Sequence, residues 1–179
     1  QVPVNVTIPA GQASVQVTLP AVRDFVIDGT KTVSISATAT GFETAAAQVD
    51  ITDIDTAQVS LRAVSHGSEA NLTDGKFEVR ISGTAEFDID VPYTWNGTAQ
   101  SGIDYTALSG TVKILAGSST TMIPVIVLND DFAEYTETLR LTLGTPTVAG
   151  LTVNPAAKSA QILILDNDVA QEEAATRYI

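Results

Sequence analysis

The stretch "NDDFAEYTETL", Asn129 to Leu139, carries four carboxylates, Asp130, Asp131, Glu134 and Glu137, within eight residues. They follow "TMIPVIVL", which reads as a buried β-strand. More acids sit in other turn-like stretches: Glu69 in "SHGSEAN", Asp104 in "SGIDYT", Asp166 and Asp168 in "DND". Where loops from alternate strand ends gather at one pole of a sandwich, such residues share a small volume. Like charges that close repel, and some must take up protons unless a cation intervenes. The neighbouring sequence offers no Lys or Arg cluster to neutralise them. Calcium would: it takes six to eight oxygens from carboxylates, carbonyls and water, and tolerates irregular geometry. Magnesium wants a tighter octahedron and ranks second.

The elements that must position these acids are strands. "ASVQVTL", "KTVSISA", "AAQVDIT", "AQVSLRAV", "KFEVRIS", "IDVPYTW" and "QILILD" alternate with a period near two and are rich in Val, Ile and Thr. Turn residues separate them: "DGT", "TDG", "NGT", "SGID", "AGSS". Pro92 and Pro124 fall inside runs and suggest edges or bulges. Helical periodicity is nearly absent, apart from "VAQEEAATR" at the C-terminus, read as a short helix or a frayed tail. The pattern predicts an all-β sandwich or barrel.

The chain repeats itself. "IPAGQASVQVTLPAVRD" aligns with "ILAGSSTTMIPVIVLND" at an offset of 106 residues, so that Gly11 falls on Gly117, Asp24 on Asp130 and Asp28 on Glu134. "DITDID" matches "LILDND". The expected organisation is the C-terminal half of one module over 1–56, a complete module over 57–169, and a linker or the start of another module over 170–179. The abrupt opening "QVPVNVTIPAG" reads as a fragment of something longer.

Four motifs in order, "SGIDYT", "GTVKILAGSS", "NDDFAEYTETLRLTL" and "ILILDND", resemble the Calx-beta domain, whose pattern is G-x-D-Y, a strand pair, D-x-x-x-E-x-x-E, and a closing strand ending in D-x-D. The resemblance implies a seven-stranded, immunoglobulin-like antiparallel β-sandwich binding calcium at one pole. By position it implies ligands from Glu69, Asp104, Asp130, Asp131, Glu134, Glu137, Asp166 and Asp168, with a backbone carbonyl from Phe132. Asn129 and Asn167 stand where the most acidic members carry Asp, which implies fewer ions or weaker binding. The half-module keeps Asp24, Asp28, Asp53 and Asp55 but has Lys31 at the place of Glu137. Little or no calcium is expected there, and Asp53 and Asp55 read as a turn.

Other chemistry finds little support. The 179 residues carry a net charge of −12 with nine Lys plus Arg, which speaks against nucleic acid and anionic membranes as partners. Without cysteine there is no disulfide, thiolate zinc site or cysteine nucleophile. His66 is the single histidine and reads as an exposed loop residue; no serine nucleophile motif accompanies it. Tyr93 and Trp95 share a strand face and read as core. No apolar run reaches the roughly 18 residues of a membrane helix. The expectation is a non-enzymatic, calcium-binding repeat of a large extracellular or cell-surface protein, of adhesin or matrix type. Its partners would be calcium ions, neighbouring modules, and another copy through the unpaired half-module. The alternatives are a calcium sensor regulating an attached transporter, and an accessory module of a secreted hydrolase.

Overall fold

A computed structural model describes residues 5–24 and 26–168; the C-terminal "VAQEEAATR" and the whole of the 170–179 linker expectation thus lie outside the described residues. The described chain divides into two compact units, 5–24 with 30–54, and 26–29 with 55–168.

In chain order the strands are β1 (Val26–Ile27), β2 (Lys31–Ala37), β3 (Ala45–Ile51), β4 (Ala57–Ser65), β5 (Gly67–Ser68), β6 (Gly75–Ile81), β7 (Thr84–Ala85), β8 (Ile89–Gly97), β9 (Thr111–Ile114), β10 (Thr120–Val125), β11 (Glu137–Leu143), β12 (Leu151–Val153) and β13 (Ser159–Leu165). Two short 3-10 turns, Ala70–Leu72 and Pro155–Ala157, are the helical elements among the described residues.

The smaller unit contains one hairpin. β2 and β3 pair antiparallel from Lys31↔Ile51 to Ala37↔Ala45, and Thr32 Oγ1 donates to Asp50 Oδ1 at 2.6 Å. None of its described residues is buried. "ASVQVTL" was expected as a strand; the structure places it in irregular chain. Alternation makes a strand only where the backbone finds a partner, and this unit supplies none beyond the hairpin.

The larger unit is a sandwich. One sheet runs β10-β6-β4-β12, the other β5-β13-β11-β8-β9. The long pairings are antiparallel. Three short pairs, β12 with β4, β13 with β5 and β1 with β7, are parallel. Alternate residues of each long strand meet between the sheets: Val59 and Leu61, Phe77 and Val79, Ile89 and Val91, Leu139 and Leu141, Ile162 and Ile164 are all buried. The intervening residues face out, as period two requires. Tyr93 is in this core, but Trp95 is partly exposed, so the expected shared core role holds for one ring only. The two rings still touch, tilted at 50° with centroids 6.1 Å apart. Pro124 lies on the edge strand β10 as anticipated. Pro92 does not lie on an edge: it sits where β8 passes from pairing with β9 to pairing with β11.

Two local features aim the chain at one pole. The first is a crossing. After β4 the chain leaves its sheet, and β5 joins the other sheet beside β13. His66, exposed as expected, stands at the crossing, and its Nδ1 accepts the backbone N–H of Leu163 at 2.9 Å. A side chain thus replaces a carbonyl where the ladder breaks. The second is the close approach of β8 to β11: a Cβ at Gly97 would overlap the Thr138 carbonyl oxygen.

Candidate metal site

The crossing at His66 delivers Glu69 to the end of β13. Its N–H donates to the Leu165 carbonyl at 2.9 Å, which holds it beside Asp166 and Asp168. Asp104 arrives from the β8–β9 loop. Gly102 takes φ +86°, a left-handed conformation that favours glycine, and its N–H donates to the Tyr105 carbonyl at 2.7 Å. Tyr105 is buried in the core and anchors the turn. Asp104 Oδ2 accepts the Gln100 N–H at 2.5 Å, and the Asp104 carbonyl accepts from Leu128 at 2.9 Å. The G-x-D-Y spacing is therefore mechanical: a glycine bends the chain, a tyrosine fixes it, and the aspartate between them is turned inward.

The β10–β11 loop brings the rest. Asp130 Oδ1 accepts the Phe132 N–H at 2.7 Å, closing an Asx turn. Asp166 Oδ2 accepts the Glu134 N–H at 2.6 Å, and its Oδ1 accepts that of Asp168 at 2.8 Å. Glu137 opens β11, opposite Ile164.

Two overlapping triads result. One oxygen each from Glu69, Asp166 and Asp168 lie within 4.8 Å of one another, and so do one each from Glu69, Asp104 and Glu134. Glu69 belongs to both and is 4% exposed; Asp104 is 2% exposed. Three buried oxygens, Glu69 Oε2, Glu137 Oε2 and Asp168 Oδ2, have no hydrogen-bond partner among the described residues.

The electrostatics follow from burial and crowding. Burial, then the charges of Asp166, Asp130 and Asp168, push Glu69 up to about 7. Burial, then a hydrogen bond to Asp104 and the charges of Asp104, Glu134 and Glu69, push Glu137 up to about 7. Glu134 and Asp168 are raised as well, first by burial and then by neighbouring carboxylates. Asp166 goes the other way, because the N–H groups of Asp168 and Glu134 stabilise its charge. Arg62 pairs with Glu78, and Lys113 with Asp88 and Asp90, so these cations engage carboxylates outside the cluster.

Of the nine residues named from the sequence, the triads thus join Glu69, Asp104, Glu134, Asp166 and Asp168. Glu137 joins through Asp104. Asp130 acts on Glu69, Glu134 and Asp168 through its charge, and Asp131 on Asp168. The Phe132 side chain is exposed, and its N–H is taken by Asp130. The sequence marks Asn129 and Asn167 as departures from Asp but gives no sign of the bond between them, nor of the role of Asp74. Asn167 donates its side-chain amide to Asn129 Oδ1 at 2.7 Å, and Asp74 Oδ1 accepts the Val127 N–H at 3.2 Å, bracing the start of the β10–β11 loop.

The class defined by this fold and site is an all-β sandwich module with an acidic, oxygen-only pole. Residues 50–168 match the sequence model of the Calx-beta domain, and this chain belongs to that family. Among solved structures, CBD12 from CALX1.2 is similar at 23% identity and a TM-score of 0.52, over 62% of this chain and 46% of that one. The calcium binding domain CBD12 of CALX1.1 matches at 24% identity, TM-score 0.49, over 60% and 44%. The apo-form Calx CBD1 domain matches at 23%, TM-score 0.49, over 61% and 99%. This chain spans less than half the length of either CBD12 structure. No curated protein matches it.

Proposed function

We propose that the 55–168 sandwich binds calcium at its acidic pole and serves as a non-catalytic, load-bearing module of an extracellular or cell-surface protein. The observation that carries this reading is the set of three buried carboxylate oxygens without hydrogen-bond partners among the described residues, set within a cluster of acidic side chains. Leaving such groups unpaired costs several kcal/mol each if they are charged. Oxygen donors from several loops, with no His or Cys among them, suit a hard cation of irregular coordination. Glu69, Asp104, Glu134, Asp166 and Asp168 would hold it, with Asp130 and Glu137 beside them. The cation supplies positive charge there and ties four chain segments together. Membership of the Calx-beta family lends support at the level of the family.

The strut reading rests on the internal repeat, the −12 charge and the absence of cysteine. We read 1–56 as the C-terminal half of a preceding module. Calorimetric calcium titration with thermal melting, on the wild type and Glu134→Ala, tests both parts. Binding that the substitution weakens at least about tenfold supports the site, tenfold being about 1.4 kcal/mol. A dissociation constant of roughly 10⁻⁴–10⁻³ M fits a strut, and one near 10⁻⁶ M fits a sensor instead. No heat and no shift in melting would sink the calcium reading.

A further inference from the structure

A second feature of the sandwich has no role in the acidic pole. β1 is distant in sequence from every other strand of the larger unit, separated from β4 by the whole β2–β3 hairpin. It nonetheless pairs in parallel with β7, Val26 opposite Thr84 and Ile27 opposite Ala85. The Glu86 N–H donates to the Ile27 carbonyl at 3.4 Å, while on the other side of β7 the Ala85 carbonyl accepts the Gly117 N–H at 2.9 Å. Ile27 is 2% exposed and belongs to the same buried cluster as Ala85, Ile89 and Ile114. No other described residue before Asp55 is buried.

We propose that Thr84–Glu86 form the floor of a strand-acceptor groove in the sandwich, and that its occupant is this chain's own Val26–Asp28 segment, with Ile27 as the plug.

The argument rests on three points. A two-residue strand such as β7 carries few backbone bonds of its own, so one of its edges stays open unless another strand covers it. The segment that covers it is extended and places one aliphatic side chain inward, the minimum that strand addition requires. And the segment is the counterpart, at the 106-residue offset, of the loop that carries Asp130 and Glu134. In that repeat Lys31 replaces Glu137, which removes a carboxylate from the stretch. The Val26–Asp28 segment thus serves as a docking strand in one repeat, whereas its equivalent lies in the loop of the acidic pole in the other. The chain then passes between the two units three times, between 24 and 26, at 29/30 and at 54/55, rather than once.

The test uses the full chain in chelator, so that its outcome is independent of any cation. The protein has no cysteine, so Val26→Cys with Thr84→Cys permits a single bridge within a molecule. Paired strands bring Cα atoms within about 5 Å, inside the disulfide range. Mild oxidation is expected to give an internally bridged monomer of altered mobility on non-reducing gels. In parallel, Ile27→Asp is expected to lower Tm by roughly 5–10 °C, and Phe42→Asp, at an exposed position of the smaller unit, by less than about 2 °C. Failure to bridge overturns the proposal. A disulfide-linked dimer overturns it in favour of a second copy filling the groove. An Ile27→Asp protein melting with the wild type does the same for the plug. If Ile27→Asp does not fold, the bridging result decides alone.

Discussion

Asn167 and Asn129 are joined by a 2.7 Å hydrogen bond from one side-chain amide to the other's carbonyl oxygen. The bond ties the segment after β13 to the β10–β11 loop, and it exists because neither residue is an aspartate. Two carboxylates at this spacing would repel in the absence of a cation. The amide pair therefore holds two arms of the acidic pole together without help from an ion. Replacing both by Asp should lower Tm in chelator by a few degrees and enlarge the calcium-induced rise. Melting curves with and without calcium check both signs; a double variant that loses stability in both conditions would refute this account.

Glu69 gives a sharper pair of opposite effects. It is buried, shared by both triads, and pushed up to about 7. Glu69→Gln keeps the shape and removes the charge. In chelator the variant should melt at or above the wild-type temperature. With calcium its Tm rise should shrink to less than half. At a calcium concentration 100 times the dissociation constant the wild type gains about 2.7 kcal/mol, or roughly 5–10 °C for a chain of this length. Equal calcium responses in the two proteins would remove Glu69 from the site.

The pH dependence has a defined sign. Glu69 and Glu137 sit near 7 in the folded protein and near 4.3 when unfolded. Between those values the folded chain binds more protons, so stability without calcium should rise as pH falls from about 7.5 to 5. Asp166, lowered in the folded state, opposes this only as pH drops further, through its unfolded value of about 3.9 and below. Calcium needs the deprotonated groups, so its affinity should fall over the same interval in which the apo protein gains stability. Melting in chelator at pH 5.5 and 7.5, alongside calcium titrations at both, would expose a wrong sign in either quantity.

Gly102 tests the turn that aims Asp104. It holds φ +86°, and a Cβ there would meet nothing within 4 Å. Gly102→Val therefore introduces backbone strain without a clash, about 1–2 kcal/mol. The expected result is a Tm lower by a few degrees and weaker calcium binding, since Asp104 is held by that turn. Unchanged calcium affinity would mean that Asp104 keeps its position without the glycine.

Much of this fold was legible in the sequence because period-two alternation and burial are the same fact seen twice. "KFEVRIS" and "AQVSLRAV" alternate because Phe77, Val79, Val59 and Leu61 face the opposite sheet. Where strand formation depends on a partner far away, the pattern failed in both directions. "ASVQVTL" alternates well and pairs with nothing among the described residues, whereas "VI" at 26–27 has no pattern and finds β7. The acids of the pole were legible by type and order. Their inequality was not: Glu69 and Asp104 are buried while Glu134 is exposed, and that difference comes from the sheet crossing and the Gly102 turn rather than from residue identity. His66 accepting from Leu163 left no trace in the sequence, since any exposed loop histidine looks the same.

The sheet crossing also decides how the module answers tension. β5 runs parallel to β13, Gly67 beside Ile164 and Ser68 beside Leu165, with the Glu69 N–H on the Leu165 carbonyl. A pull that draws the start of the domain one way and its end the other loads this parallel pair lengthwise. Its hydrogen bonds must then slide together instead of opening one at a time. The resistance lies immediately next to Asp166 and Asp168, so whatever binds those side chains also bolts this seam.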